Sequence, residues 1–202
     1  MKVYIIRHGE KNIEDLENKR INNFDVRLSE EGYKQSMRLK DYFLNIDIQA
    51  IYISEYLRTK QTIELISKMK GIQPKVKKDL NEINTGKFVF LNDDEKKEYY
   101  PNEWNCLNVS MKDFSYPDGE SGEDVSIRIK RVLNELIKKE ENCILVTHEG
   151  WMKTAICTVL GIKSDYRFHF VIDTASIIEL EYDQTVKYWR IIAINMKVGT
   201  TI

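Results

Sequence analysis

Val3-Tyr4-Ile5-Ile6-Arg7-His8-Gly9-Glu10 and Cys143-Ile144-Leu145-Val146-Thr147-His148-Glu149-Gly150 share one local grammar. Each is a short apolar run that stops at a histidine with a glycine close behind. Short apolar runs bounded by turn residues read as buried parallel strands. Ligands of open α/β sheets bind at the carboxyl ends of such strands. The pattern therefore predicts two imidazoles, far apart in sequence, at one edge of one sheet. Imidazole can serve there as nucleophile, acid, base or ligand near neutral pH.

Outward from these runs, strands and helices alternate. Residues 11–28 are polar and charged and read as a loop. Ser29 reads as an N-cap, with Glu30 and Glu31 in a first turn that favours acids. Tyr33, Met37, Leu39 and Phe43 then predict a helix over 30–44. Residues 50–53 form a second buried run. Ser54 reads as the N-cap of a helix carrying Tyr56, Ile63, Ile66 and Met69, which Gly71 ends and Pro74 keeps from resuming. Ser121 and Asp124 have capping-box spacing. They precede the clearest amphipathic helix, marked by Val125, Ile129, Val132, Leu133, Leu136 and Ile137. An apolar helix over 151–160 closes at Gly161, and a hairpin over 175–194 turns at Asp183-Gln184-Thr185. This alternation predicts an α/β fold with a mostly parallel central sheet and helices on both faces. Residues 84–120, rich in aromatics and without a long periodic element, predict an irregular lid over the sheet edge, or a loop that only shields the core. No repeat, low-complexity segment or linker divides the chain, so 1–202 is expected to be a single domain.

Composition excludes several classes. Of 202 residues, 42% are hydrophobic and 31% charged, the signature of a soluble globular chain. Lys plus Arg (31) balances Asp plus Glu (32), without the basic excess of a nucleic-acid binder. Cys106, Cys143 and Cys157 show no spacing suited to zinc or a disulfide framework. No apolar stretch is long enough for a bilayer, and the N-terminal run is too short for a signal peptide. The expectation is a reduced, cytoplasmic protein with no nucleic-acid or membrane partner. Its oligomeric state is not legible.

Four places carry the chemistry. Arg7 beside His8 suits a neutral imidazole facing an anion, provided the backbone turns there, as Gly9 permits. Arg58 falls near the first turn of a helix, where a cation is unfavourable unless an anion bridges it to the helix amides; the alternative is a surface arginine. His148 is either a satisfied core histidine or a ligand at a strand end. Glu82, in Leu80-Asn81-Glu82-Ile83-Asn84-Thr85-Gly86, is either a half-buried acid before a turn or an exposed carboxylate.

Taken in order, these segments resemble the histidine phosphatase superfamily, also called the phosphoglycerate mutase-like family. Arg7-His8-Gly9-Glu10 is similar to its opening signature. Asp25-Val26-Arg27-Leu28-Ser29-Glu30-Glu31-Gly32-Tyr33-Lys34-Gln35 resembles its Asp-x-Pro-Leu-Thr-x-x-Gly-x-x-Gln stretch. Arg58, Gln61 and Thr62 match its Arg-x-x-Gln-Thr. Leu80 to Gly86 looks like its acid-bearing turn, Gly119-Glu120-Ser121 its Gly-Glu-Ser, and Val146-Thr147-His148 its second histidine. The resemblance implies a phosphoglycerate mutase-like fold. It implies a phosphohistidine mechanism without metal or cofactor, in which His8 attacks phosphorus. Arg7, Arg58 and His148 hold the phosphoryl oxygens, His148 also taking part in catalysis, and Glu82 acts as acid and then base. Some positions depart from the pattern: Glu149 stands where glycine is common, Glu14 where an asparagine contacts phosphate, with Asn12 as its nearest substitute, and Lys11 where a small hydroxyl is usual. The function expected is a phosphomonoesterase acting on a small phosphorylated metabolite. A phosphoglycerate mutase and a non-catalytic phospho-ligand binding module on the same fold are the alternatives.

Overall fold

The computed structural model describes residues 1–17 and 23–199. Residues 18–22 of the expected loop, and the last three residues of the expected domain, lie outside them. In chain order the regular elements are β1 (Lys2–Arg7), α1 (Ile13–Glu17), α2 (Glu30–Tyr42), β2 (Ala50–Ile53), α3 (Leu57–Lys70), β3 (Lys75–Val76), α4 (Asp93–Tyr99), α5 (Pro101–Asn105), α6 (Gly122–Lys139), β4 (Cys143–Thr147), α7 (Glu149–Leu160), β5 (Ile177–Asp183) and β6 (Tyr188–Met196). They build one sheet in the order β3-β2-β4-β1-β5-β6. The first four strands run parallel; β5 and β6 add an antiparallel margin. This is the expected α/β architecture.

Alternation along the strands sends side chains to two separate cores. Val3, Ile5, Tyr52 and Leu145 pack with Val125, Ile129 and Val132 of α6 and Trp151, Met152 and Ile156 of α7. Tyr4, Ile6, Ile51, Ile144 and Val146 pack with Leu39 of α2, its C-cap Phe43, and Ile63 and Ile66 of α3. Helices therefore cover both faces. Ile5 and Ile6 are fully buried, each contributing about 1.5–3 kcal/mol of apolar burial.

The register decides where the chemistry lies. Val3 pairs with Cys143 and Arg7 with Thr147, so both apolar runs end side by side. The His8 N–H donates to the Thr147 carbonyl at 3.0 Å, and the Ala175 N–H to the Arg7 carbonyl at 3.1 Å. One face of Arg7-His8 is thus pinned to β4 and the other to the approach to β5.

Three local expectations need correction. Ser54 is not a helix cap: α3 begins at Leu57 behind Tyr56, and the Ser54 hydroxyl is used elsewhere. The stretch 11–28 is not all loop, since α1 and a 3-10 turn over Asn23–Asp25 interrupt it. Gly9 matters for close approach rather than for an unusual backbone angle. A Cβ there would lie 2.9 Å from the Gly32 carbonyl oxygen, so glycine lets the histidine loop pack directly on α2.

The insertion 84–120 contains short helices, α4 and α5, behind a 3-10 turn over Gly86–Phe90 and ahead of a π-helical turn over Cys106–Ser110. Its two ends are tied together: the Asn84 N–H donates to Glu120 Oε2 at 2.9 Å, and the Glu120 N–H to the Asn84 carbonyl at 2.8 Å. Phe88, Phe114 and Tyr116 form its aromatic centre, with ring centroids 4.6–6.3 Å apart.

Candidate active site

Four of the five expected site residues, Arg7, His8, Arg58 and His148, lie at strand ends or helix starts along one sheet edge, and Glu82 lies in the irregular segment that follows a 3-10 turn over Lys78–Leu80. Arg7 continues the side of Ile5; its guanidinium pairs with Glu149 at the start of α7 and donates to the Ile172 carbonyl, in the segment that leads to β5. His8 sits beside α3, where the Gly9 N–H donates to Thr62 Oγ1 at 2.9 Å and Thr62 donates to the Arg58 carbonyl at 2.7 Å. The two imidazoles are brought together, with ring centroids 5.1 Å apart.

His8 is 3% exposed, and its Nδ1 lies 2.7 Å from the Gly9 carbonyl oxygen. A carbonyl only accepts, so Nδ1 carries the proton and Nε2 keeps its lone pair. Burial, then the positive charge of Arg58, holds the His8 pKa well below the usual imidazole range, with Arg7 and Lys11 adding to the effect. The imidazole is therefore neutral at pH 7.

His148 is fully buried and wired differently. Its Nε2 lies 2.8 Å from Ser54 Oγ and its Nδ1 3.4 Å from Arg58 Nη2. Guanidinium only donates, so Nδ1 accepts and Nε2–H points to Ser54. Ser54 Oγ is 3.0 Å from Thr59 Oγ1, which donates to the Tyr56 carbonyl at 2.7 Å. A buried hydroxyl relay thus fixes the ring from behind. Tyr56 also packs edge-on against it, with centroids 4.5 Å apart. Burial, then the neighbouring His8 and Arg58, lowers the His148 pKa well below normal.

Arg58 is 2% exposed, which removes the surface-arginine reading. Burial pulls its pKa down to about 10. It donates to the Asn23 carbonyl at 2.7 Å and lies over the Tyr56 ring, 4.2 Å from the centroid. Arg7 Nε and Arg58 Nε are both buried without an acceptor among the described residues. Buried guanidinium donors left unpaired are costly. Both guanidiniums act electrostatically on the neutral His8 imidazole, and that concentration of positive charge suits an oxyanion.

Glu82 is half-buried, and its carboxylate meets the start of α7. Oε1 accepts the Trp151 N–H at 3.1 Å and Oε2 the Gly150 N–H at 3.3 Å. A Cβ on residue 150 would fall 2.8 Å from Glu82 Oε1, so Gly150 makes room for the acid. Arg128 holds the segment from below, donating to the Asp79 and Glu82 carbonyls at 2.7 and 3.3 Å and pairing with Glu120 at 2.9 Å.

Several participants were not singled out from sequence. Ser54, Tyr56 and Thr59 give no pattern that announces a relay. Arg128 had a signal, a cation on the apolar face of α6. Lys11, a departure from the family pattern, lies within electrostatic reach of the same groups. Burial, then Arg58 and Arg7, lowers its pKa, while Glu82 and Glu149 oppose them; no ion pair of Lys11 is found among the described residues. Glu14 is exposed, and Asn12 Oδ1 accepts the Asp15 N–H at 3.0 Å, capping α1. Glu149 is neutralised by Arg7 at 2.8 Å and Lys153 at 2.5 Å. A recess of about 250 Å³ lined by Gln35, Arg38, Asp173 and Lys197 lies apart from the histidines, its charges paired as Arg38–Glu31 and Lys197–Asp173. Among the described residues no group of three or more His, Cys, Asp or Glu could hold a metal ion, and no helix is long and apolar enough to cross a membrane.

A cationic cup around a neutral imidazole, at the carboxyl edge of a mostly parallel sheet, is the mark of an α/β site for anionic substrates. The chain belongs to the histidine phosphatase superfamily (branch 1), whose model matches residues 3–196. It is 30% identical over 165 residues to 6-phosphofructo-2-kinase/fructose-2,6-bisphosphatase 1 of Homo sapiens and of Mus musculus. That match covers 81% of this chain but 33% of each relative, so the chain spans about a third of their length. Among solved structures, a putative alpha-ribazole-5'-P phosphatase from Escherichia coli superposes with a TM-score of 0.81 at 20% identity, covering 100% of this chain and 99% of that one. A mycobacterial glucosyl-3-phosphoglycerate phosphatase does so with a TM-score of 0.81 at 20% identity, covering 99% of both. At such identities the structural likeness speaks for the fold.

Proposed function

We propose that this chain is a metal-independent phosphomonoesterase that hydrolyses a small phosphorylated metabolite through a phosphohistidine. The observation that carries the reading is the Nε2 lone pair of neutral His8, left free by the hydrogen bond at Nδ1 and lying within the positive field of Arg58 and Arg7. Names of structural neighbours that are phosphatases support it.

In the first step His8 Nε2 forms a bond to phosphorus as the bond to the ester oxygen breaks. Glu82, protonated, gives its proton to the departing oxygen. In the second step a water oxygen bonds to phosphorus, the P–N bond breaks with its electrons returning to Nε2, and Glu82 takes the water proton. Splitting transfer in two lowers each barrier. Arg7, Arg58 and Lys11 supply the positive charge that the phosphoryl oxygens need. A dianion beside His148 favours its protonated form; the ring takes a proton at Nδ1 and donates it to a phosphoryl oxygen, while Nε2–H stays on Ser54.

The mutase alternative differs in the fate of the phosphoryl group. Supplying phosphoglycerate with a bisphosphoglycerate primer separates the two. Free phosphate as the main product supports hydrolysis, and predominant isomer formation overturns it. A non-catalytic binder would turn over neither this substrate nor an aryl phosphate.

A further inference from the structure

The first residue of α7 sets a carboxylate against a guanidinium that the proposed reaction uses. Glu149 Oε2 lies 2.8 Å from Arg7 Nη2, and Oε1 lies 2.5 Å from Lys153 Nζ, one turn further along α7. Arg7 Nη1 is taken by the Ile172 carbonyl, and Nε is buried without an acceptor among the described residues. One terminal nitrogen is thus committed to backbone and the other to a protein carboxylate. A phosphoryl group that takes the fork of Arg7 meets an anion already on it.

We propose that Glu149 is an internal competitor for Arg7, and that Lys153 holds the Glu149 carboxylate when a phosphoryl group takes the guanidinium. The Glu149–Lys153 pair then sets how tightly the cup holds phosphate. The proposal rests on the reading of Arg7 as a phosphoryl ligand.

Three features favour exchange over a fixed clamp. The side chains of Arg7, Glu149 and Lys153 are 19%, 35% and 22% exposed, so the triad is at the rim and can rearrange without opening the core. Glu149 can remain where it is when Arg7 is lost to it. It occupies the first position of α7, where the helix dipole favours an acid, and it precedes Lys153 in the favourable i,i+4 order. Finally, charge gives the sign. A carboxylate on the phosphate-binding guanidinium repels a dianion, so its presence weakens phosphate binding and eases release of the product.

A clamp that merely orients Arg7 makes the opposite forecast, because removing it would loosen the guanidinium and weaken binding. The test is equilibrium binding of inorganic phosphate to the full chain by calorimetry at pH 7, with competitive inhibition of aryl phosphate turnover as a second readout. Glu149→Gln is expected to tighten phosphate binding about five- to tenfold. Lys153→Met is expected to weaken it about threefold, and to have no effect in the Glu149→Gln background. Weaker or unchanged binding in Glu149→Gln overturns the proposal, as does a Lys153 effect that persists without the carboxylate. Arg7→Gln separates the two levels. If it loses phosphate while Glu149→Gln gains nothing, the competitor role falls and the site reading stands. If neither the wild-type chain nor Glu149→Gln binds phosphate, both fall together.

Discussion

His8 and His148 occupy equivalent addresses, one residue past strands paired in register, yet they are wired in opposite ways. His8 spends one nitrogen on its own neighbour's carbonyl and leaves the other free. His148 has both nitrogens engaged, one by the Ser54 relay and one by Arg58. The strand end supplies position; the surrounding hydrogen bonds decide which ring can form a bond and which can only hold and donate. Burial depresses both pKa values, so the difference between the rings is one of wiring rather than of charge.

The sharpest break of this comparison is alanine at each ring. His8→Ala is expected to lower aryl phosphate turnover by about four orders of magnitude or more, since no covalent route remains. His148→Ala is expected to cost about 10²–10³ in kcat, the scale of one lost oxyanion donor. Equal losses at both rings in steady-state kinetics would erase the asymmetry.

Glu82→Gln asks whether the acid serves the leaving group that His8 displaces. The expected loss in kcat/KM is about 10²–10⁴ for an alkyl phosphate and much smaller for an activated aryl phosphate, whose leaving oxygen needs little proton help. The same loss for both ester types would count against the role.

Ser54→Ala removes the relay from behind His148 and leaves His8 untouched. The abandoned Nε2–H costs about 1–3 kcal/mol of stability, measured by urea denaturation, and kcat is expected to fall about tenfold as the ring loses its fixed orientation. Restoration of both by Ser54→Thr would tie the effect to the hydroxyl. A Ser54→Ala chain with wild-type kinetics would show that the relay only supports the fold.

The smallest effect is on stability against pH. Both folded-state pKa values lie below the unfolded value near 6.5, so below that pH the unfolded chain binds more protons. Stability conferred by the neutral rings is complete above about pH 6.5 and declines as pH falls toward the folded values, at up to about 1.4 kcal/mol per pH unit for each histidine. Replacing His8 by alanine should make that slope shallower between pH 6.5 and 5. An unchanged slope would show that His8 is not held neutral by the fold.

Sequence made the sheet edge legible because strand ends are marked by where an apolar run stops. Both histidines, Arg7 and the cap at Ser29 followed from that, and Gly71 and Gly161 ended their helices as expected, both with positive φ. Arg58 was legible only as an anomaly, a cation at a helix start that an anion would explain. Glu82 was ambiguous because its setting depends on Gly150, far away in sequence. The Ser54 hydroxyl was misread as a cap, since a serine before a helix has two possible partners and only tertiary structure chooses between them. Lys11 and Glu149 could be seen as unusual, but their charge balance with Arg7, Arg58 and Lys153 arises from three separate elements. The insertion 84–120 was recognisable by its lack of periodicity, while its tied ends at Asn84 and Glu120 were not.

The most direct test of the central claim is to trap the phosphorylated enzyme. Rapid acid-free quenching of the chain during turnover of a ³²P-labelled aryl phosphate, followed by peptide mass spectrometry, locates the label. The account expects an acid-labile, base-stable phosphoryl group on Nε2 of His8, absent in His8→Ala and still formed in His148→Ala. Label on His148, or turnover with no labelled histidine in a chain that binds phosphate normally, would contradict it.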